Sequence, residues 1–264
     1  LRAAARECDE GGDVPADLVR RGWELGLVAG NVPEAEGGLG TEHSALTGAL
    51  YAEELAWGDL ALAAHLLAPA QAAIHILLCG TPEQRRAWLP RLCGPQFIPA
   101  TAALVEPRLD FDPFALTTTA TPEDGQYVLN GHKCFVPLAA DAHVLLVYAT
   151  DTQTNSTQAF IVERGAPGLT VREREKNMGL SALATYEVAL NARACRVPAA
   201  NRLGGEAGCD FARLINHARV AGNALAIGLA RAAYEYAREY AKSRVAFGEP
   251  IAHRQAIAFM LADM

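Results

Sequence analysis

Tyr127-Val128-Leu129-Asn130-Gly131-His132-Lys133 is the stretch whose reading decides the fold. An apolar run meets an Asn-Gly pair, two residue types that accept positive φ, and this predicts a type I′ turn joining strands at 126–129 and 133–136. Working outward, short runs rich in β-branched and aromatic residues recur at 114–120, 143–148, 159–162, 169–171 and 186–190, each bounded by turn residues. Their spacing predicts a compact middle β-barrel or sandwich.

Helical periodicity flanks this region on both sides. Pro15 opens an amphipathic run that Gly37-Gly38 and Gly40 break, and a Thr41 cap begins a helix over 41–57. The run 59–79 is apolar nearly all round, which predicts a central helix. Thr81-Pro82-Glu83-Gln84 combines a cap, a Pro in the first turn and an acidic start for a short helix to 92. After Gly204-Gly205, the segment 211–243 reads as one long helix with Leu214, Val220, Leu225, Ile227, Leu229, Tyr234 and Tyr240 on its core side. Phe247-Gly248-Glu249-Pro250 ends it, and Pro250 starts another helix at Ile251. The expected class is α+β: an N-terminal helical bundle over 1–96, a β domain over 97–203, and the start of an incomplete C-terminal bundle over 204–264. The order lacks βαβ alternation and GxGxxG, so it is not a dinucleotide-binding sheet.

Composition excludes other classes. The 264 residues are 51% hydrophobic, ample for a core, and 23 basic against 30 acidic side chains give a net charge of -7, which offers no footprint for nucleic acid. Six cysteines without CxxC or His at ligand spacing predict reduced, buried thiols and no metal. Residues 60–78 carry His65, Pro69, Gln71 and His75, too polar for a bilayer span, and no signal peptide opens the chain. A soluble, cytoplasmic protein is expected. Leu1 is not an initiator and Met264 falls inside an apolar-periodic run, so the chain reads as part of a longer one.

Arg244-Val245-Ala246-Phe247-Gly248 followed by Gln255 sets a forked guanidinium, an aromatic face and an amide at a helix corner, a set able to hold a phosphate and stack on a flat ring. With Val105-Glu106-Pro107, Asn130-Gly131-His132-Lys133, Met178-Gly179-Leu180 and Ala262-Asp263-Met264 in the same order, the chain from about Asp13 onward resembles the acyl-CoA dehydrogenase family of flavoproteins. The resemblance implies helices, β domain and helices, FAD between the last two, and a homo- or hetero-oligomer, dimer or tetramer. It further implies an acyl-CoA substrate, fatty acid metabolism and an acceptor such as an electron-transfer flavoprotein. Chemistry in that family is loss of the α-proton with hydride passing from the β-carbon to flavin. Arg244, Phe247 and Gln255 match residues reaching the FAD of a neighbouring subunit. Val105, Phe135 and Pro137 match the wall beside the flavin ring. Phe111 stands where a Ser lies in a turn approaching the flavin pyrophosphate and the thioester, Asn216 where an Asp commonly touches the pantetheine chain, and Arg219 matches an arginine near the acyl pocket.

Departures from the pattern concentrate at that wall. The small Gly- and Ser-containing turn after Glu-Pro is here Arg108-Leu109-Asp110-Phe111-Asp112, a usual Thr is Val105, and a usual Trp and hydroxyl pair are Phe135 and Pro137. Pro137 lacks both a hydroxyl and an N–H, which removes a hydrogen bond to the ring twice over. No catalytic base is nominated: one family position for a Glu is Ala218 here, and the other lies beyond Met264. His217 is read as a capping or pocket-lining residue, Glu53-Glu54 as a solvated face, 172–176 as charged edge protection, and Glu106 as a structural turn anchor. Two readings follow. One is an FAD-dependent acyl-CoA dehydrogenase with an altered flavin wall. The other is a degenerate, non-catalytic subunit that completes a partner's FAD site.

Overall fold

The structure, a computed structural model, describes residues 1–264. Helices α1 (Ala5–Gly11), α2 (Ala16–Trp23), α3 (Ala45–Gly58), α4 (Leu60–Cys79) and α5 (Pro82–Leu92) come first. Strands β1 (Ala100–Ala103), β2 (Thr119–Glu123), β3 (Gln126–Pro137), β4 (Val144–Asp151), β5 (Ser156–Glu163), β6 (Leu169–Arg174), β7 (Thr185–Leu190) and β8 (Arg196–Pro198) form one curled sheet. The chain ends in α6 (Phe211–Ser243), a small ribbon of β9 (Val245–Ala246) and β10 (Glu249–Pro250), and α7 (Gln255–Asp263). The class is α+β, with helices on either side of a β domain.

Local chemistry sets the helix starts. Ser44, not Thr41, caps α3: its Oγ accepts the Thr47 N–H at 3.2 Å, while its own N–H donates to Asn31 Oδ1 at 2.8 Å. Asp59 Oδ1 accepts the Leu62 N–H at 2.8 Å and caps α4. Thr81 and Gln84 form a reciprocal capping box at α5, and the Gln84 amide also donates to the carbonyls of Ala200 and Arg202. One cap therefore ties α5 to the chain leaving the sheet. Thr81→Ala should cost about 1 kcal/mol of stability, read by urea denaturation.

The Asn-Gly pair does not turn. Asn130 stays extended opposite Thr119, and the hairpin between β2 and β3 is made by Asp124 and Gly125, both at positive φ (48° and 75°). Gly131 has a different task. At φ 151° it sits so close to Thr118 that a Cβ would lie 2.5 Å from the threonine Oγ1, and there β3 passes from pairing with β2 to pairing with β7. Residues 114–118 lie outside the strand expected there. The sheet is mixed, since β4 runs parallel to β1 and to the start of β2 and antiparallel to β5.

Strand β4 is buried on both faces. Val144, Leu146 and Tyr148 join α4, α5 and the start of α6 in one core, while Leu145, Val147 and Ala149 pack with Leu129, Phe160 and Val188 inside the curled sheet. Helix α4 has the length and a mean hydropathy of 1.7 that would suit a bilayer, contrary to the polarity argument, yet 56% of that window is buried within the fold. It is the central helix of the bundle. The expected face of α6 holds at Leu214 and is otherwise corrected: Val220, Ile227, Leu229 and Tyr240 are exposed, and the helix buries Phe211, Ile215, Ala224, Gly228 and Ala241 with Leu214. Small residues win because α6 packs directly along α3. Ile251 begins a short 3-10 turn, and α7 starts only at Gln255.

Candidate functional site

A cavity of about 370 Å³ lies between α3, α4, the first half of α6, β1 and the second half of β3. Its helical walls are small, with Ala45, Gly48, Ala49 and Ala52 on α3 facing Ala218, Ala221 and Gly222 on α6. Val105, Cys134, Phe135 and Pro137 form the sheet wall. Three of these were expected beside a ring, and the structure brings them together. Phe135 is held at φ 52°, its ring is 57% exposed, and its N–H donates to the Glu175 carboxylate at 3.1 Å. Glu175 thereby does more than protect an edge.

The wall is anchored from below by Lys133 and Glu106. The lysine ammonium donates to Glu106 Oε1 and to the Leu104 carbonyl, both at 3.0 Å, and both side chains are buried. Glu106 also accepts the Thr117 N–H and hydroxyl and the Thr118 N–H. Burial alone would raise its carboxyl, but these donors hold it at about 2. Lys133 is pushed down to about 8 by burial, against the pull of Glu106. The structural reading of Glu106 agrees with this geometry.

Polar groups gather at one end of the cavity, His217 among them as a lining residue, as read from the sequence, and the others unforeseen. The Tyr148 hydroxyl lies 2.6 Å from His75 Nδ1, His217 Nε2 lies 3.1 Å from His43 Nε2, and His43 Nδ1 lies 3.3 Å from the Asn31 carbonyl. Burial pushes His75 down to about 3 and also lowers His217, helped by His43 and Arg213. Both shifts favour the neutral ring of His75 and of His217. The signal for His75 was a lone imidazole inside an apolar helix; nothing local marked His43. No three His, Cys, Asp or Glu side chains converge on a metal-sized space. No Asp or Glu lines the cavity.

Other nominated residues lie elsewhere. Phe111 packs against the main core, and its loop is closed by Arg108 with Asp110 at 2.9 Å. Asn216 and Arg219 are exposed on α6 and do not line the cavity. Arg244, Phe247 and Gln255 form a separate exposed corner. Phe247 is 95% exposed at φ 55°, with Arg254 over its ring at 5.6 Å and bonded to Glu249. Glu54 is exposed as read, whereas Glu53 is partly buried, and both pair with Arg231 at 2.8 Å and so join α3 to α6.

Residues 1–95, 101–192 and 210–264 match the N-terminal, middle and C-terminal domain models of acyl-CoA dehydrogenases. The chain is 37% identical to cyclohex-1-ene-1-carbonyl-CoA dehydrogenase of Geobacter metallireducens, over 91% of this chain and 64% of that one. The structure superposes on butyryl-CoA dehydrogenase of Megasphaera elsdenii with a TM-score of 0.85 at 33% identity, covering 100% of this chain and 70% of that one. It superposes on a glutaryl-CoA dehydrogenase of Mycobacterium smegmatis in complex with FADH2 with a TM-score of 0.84 at 26% identity, covering 100% and 67%. Helices enclosing an apolar cavity against the open rim of a curled sheet thus define the fold of a flavoprotein dehydrogenase family. The chain belongs to the acyl-CoA dehydrogenase family. It spans about two thirds of the length of the relatives it matches.

Proposed function

We propose that this chain is the FAD- and acyl-binding part of an acyl-CoA dehydrogenase that removes hydrogen from the α and β carbons of an acyl thioester. The observation that carries this reading is the cavity itself: an apolar slot walled by small residues, with the Phe135 ring exposed at its rim. The residues fit a flat ring. Phe135 offers a π-face, Val105 and Pro137 continue the apolar wall, and the exposed Arg244, Phe247 and Gln255 offer charge, aromatic surface and amide to a cofactor shared between subunits. FAD, when bound, supplies the acceptor for the β-hydride. The chain's own work is to hold and desolvate: small side chains on α3 and α6 leave room for the acyl group, and the packed walls exclude water. Pro137 and Val105 offer no side-chain donor to the ring, and none of the cavity's groups is a carboxylate base. The lack of ring donors at Val105 and Pro137 favours, as second reading, a subunit that completes a partner's FAD site.

The visible spectrum of the purified protein tests both. Yellow protein bleached by an acyl-CoA supports the dehydrogenase, colour only with a co-purified homologue supports the partner subunit, and no flavin in either case overturns both. Arg244→Ala should lower the ratio of flavin to protein absorbance about tenfold at limiting FAD, the equivalent of one charged contact. An unchanged ratio would make the corner purely structural.

A further inference from the structure

The acyl cavity is apolar nearly throughout, yet polar atoms of three histidines and a tyrosine meet at one end. The Asn31 carbonyl can only accept, so His43 Nδ1, 3.3 Å away, carries that ring's proton. With that proton on Nδ1, His43 Nε2 is the acceptor of the 3.1 Å contact with His217 Nε2, which donates. His217 Nδ1 is left as an acceptor. On the opposite side the Tyr148 hydroxyl and His75 Nδ1 lie 2.6 Å apart; a phenol is a stronger acid than a neutral imidazole N–H, so the phenol proton goes to this bond and His75 keeps its own on Nε2. Both rings line the cavity, and their centres stand 6.4 Å apart at an interplanar angle of 83°. The cavity end therefore holds one donor and one acceptor.

We infer that this end recognises an uncharged hydroxyl on the acyl chain, which accepts from His75 Nε2–H and donates to His217 Nδ1. One oxygen at about 2.8 Å from both nitrogens spans the observed separation of the rings. The inference rests on reading the cavity as an acyl-thioester site and names the substrate class within it. Other groups match less well. A methyl group leaves both nitrogens unpaired in an apolar wall, at the cost of two buried polar groups. A carboxylate finds one donor and no counter-charge, since burial keeps His75 and His217 neutral. An ammonium finds one acceptor and faces the His75 N–H.

Calorimetric titration of the purified protein tests this with hexanoyl-CoA, its 3-, 4-, 5- and 6-hydroxy isomers, and the anionic adipyl-CoA. One hydroxy isomer should bind about tenfold or more tighter than hexanoyl-CoA, and His217→Leu should erase that difference. If hexanoyl-CoA binds and no hydroxy isomer improves on it, or if adipyl-CoA binds tightest, the inference falls and the proposed function stands. Should no thioester bind, both fall. The wild-type comparison is decisive by itself if the variant does not fold.

Discussion

Lys133→Met lowers the unfolding free energy by about 3 to 5 kcal/mol, because it leaves the Glu106 carboxylate buried without its cation. Both side chains are almost fully enclosed, at 0% and 2% exposure, and the distance between them is 3.0 Å. Glu106→Gln should cost a similar amount by stranding the ammonium. The pair also sets the pH response. Glu106 has a folded value of about 2 against its ordinary 4.5, so its contribution is complete above about 4.5 and is lost as pH falls toward 2. Lys133 works in the opposite sense: its folded value of about 8 lies below 10.5, so the penalty of burying its charge is felt below pH 8 and relieved between 8 and 10.5. Thermal denaturation across pH 2 to 6 checks the acid limb. A wild-type midpoint that does not fall more steeply than that of Glu106→Gln would refute the assignment.

The second large effect belongs to Gly228. A Cβ there would lie 2.1 Å from the Glu53 carbonyl oxygen and 2.9 Å from the Trp57 nitrogen, both main-chain atoms of α3. Neither can swing aside, so Gly228→Ala has to push α3 and α6 apart by about 1 Å to restore ordinary contact. Three further contacts cross this seam: Arg231 with Glu53 and Glu54, and the Trp57 indole N–H donating to Glu235 at 2.7 Å. A loss of about 3 kcal/mol is expected, at the upper end of overpacking penalties. Because both helices wall the cavity, acyl-CoA affinity should change with it. Urea denaturation and calorimetry on the same variant check both effects; full stability would show that the helices slide freely.

Helices α4 and α6 and the cap at Thr81 were legible because periodicity and capping chemistry are local. The turn was not: Asn-Gly and Asp-Gly both permit positive φ, and the choice fell to Asp124-Gly125 because Gly131 was needed against Thr118. The outward face of α6 was misread because its contact with α3 runs through Ala224 and Gly228, residues that a hydrophobic pattern ignores. At the site, Val105, Phe135 and Pro137 came from family order along the chain and do share one wall. Of the histidine end only His217 was read as pocket-lining; its partners escaped notice because His43 and His75 lie on separate segments, and only folding brings them to it.

One strand carries two unlike tasks within five residues. Lys133 reaches into the interior, while Phe135 and Pro137 face the cavity. Redesign of ligand preference is therefore poorly served by substitutions along β3, where every change at the rim pulls on a buried cation. The Ala and Gly positions of α3 and α6 that face the slot are freer ground, since enlarging them reshapes the void without disturbing that anchorage.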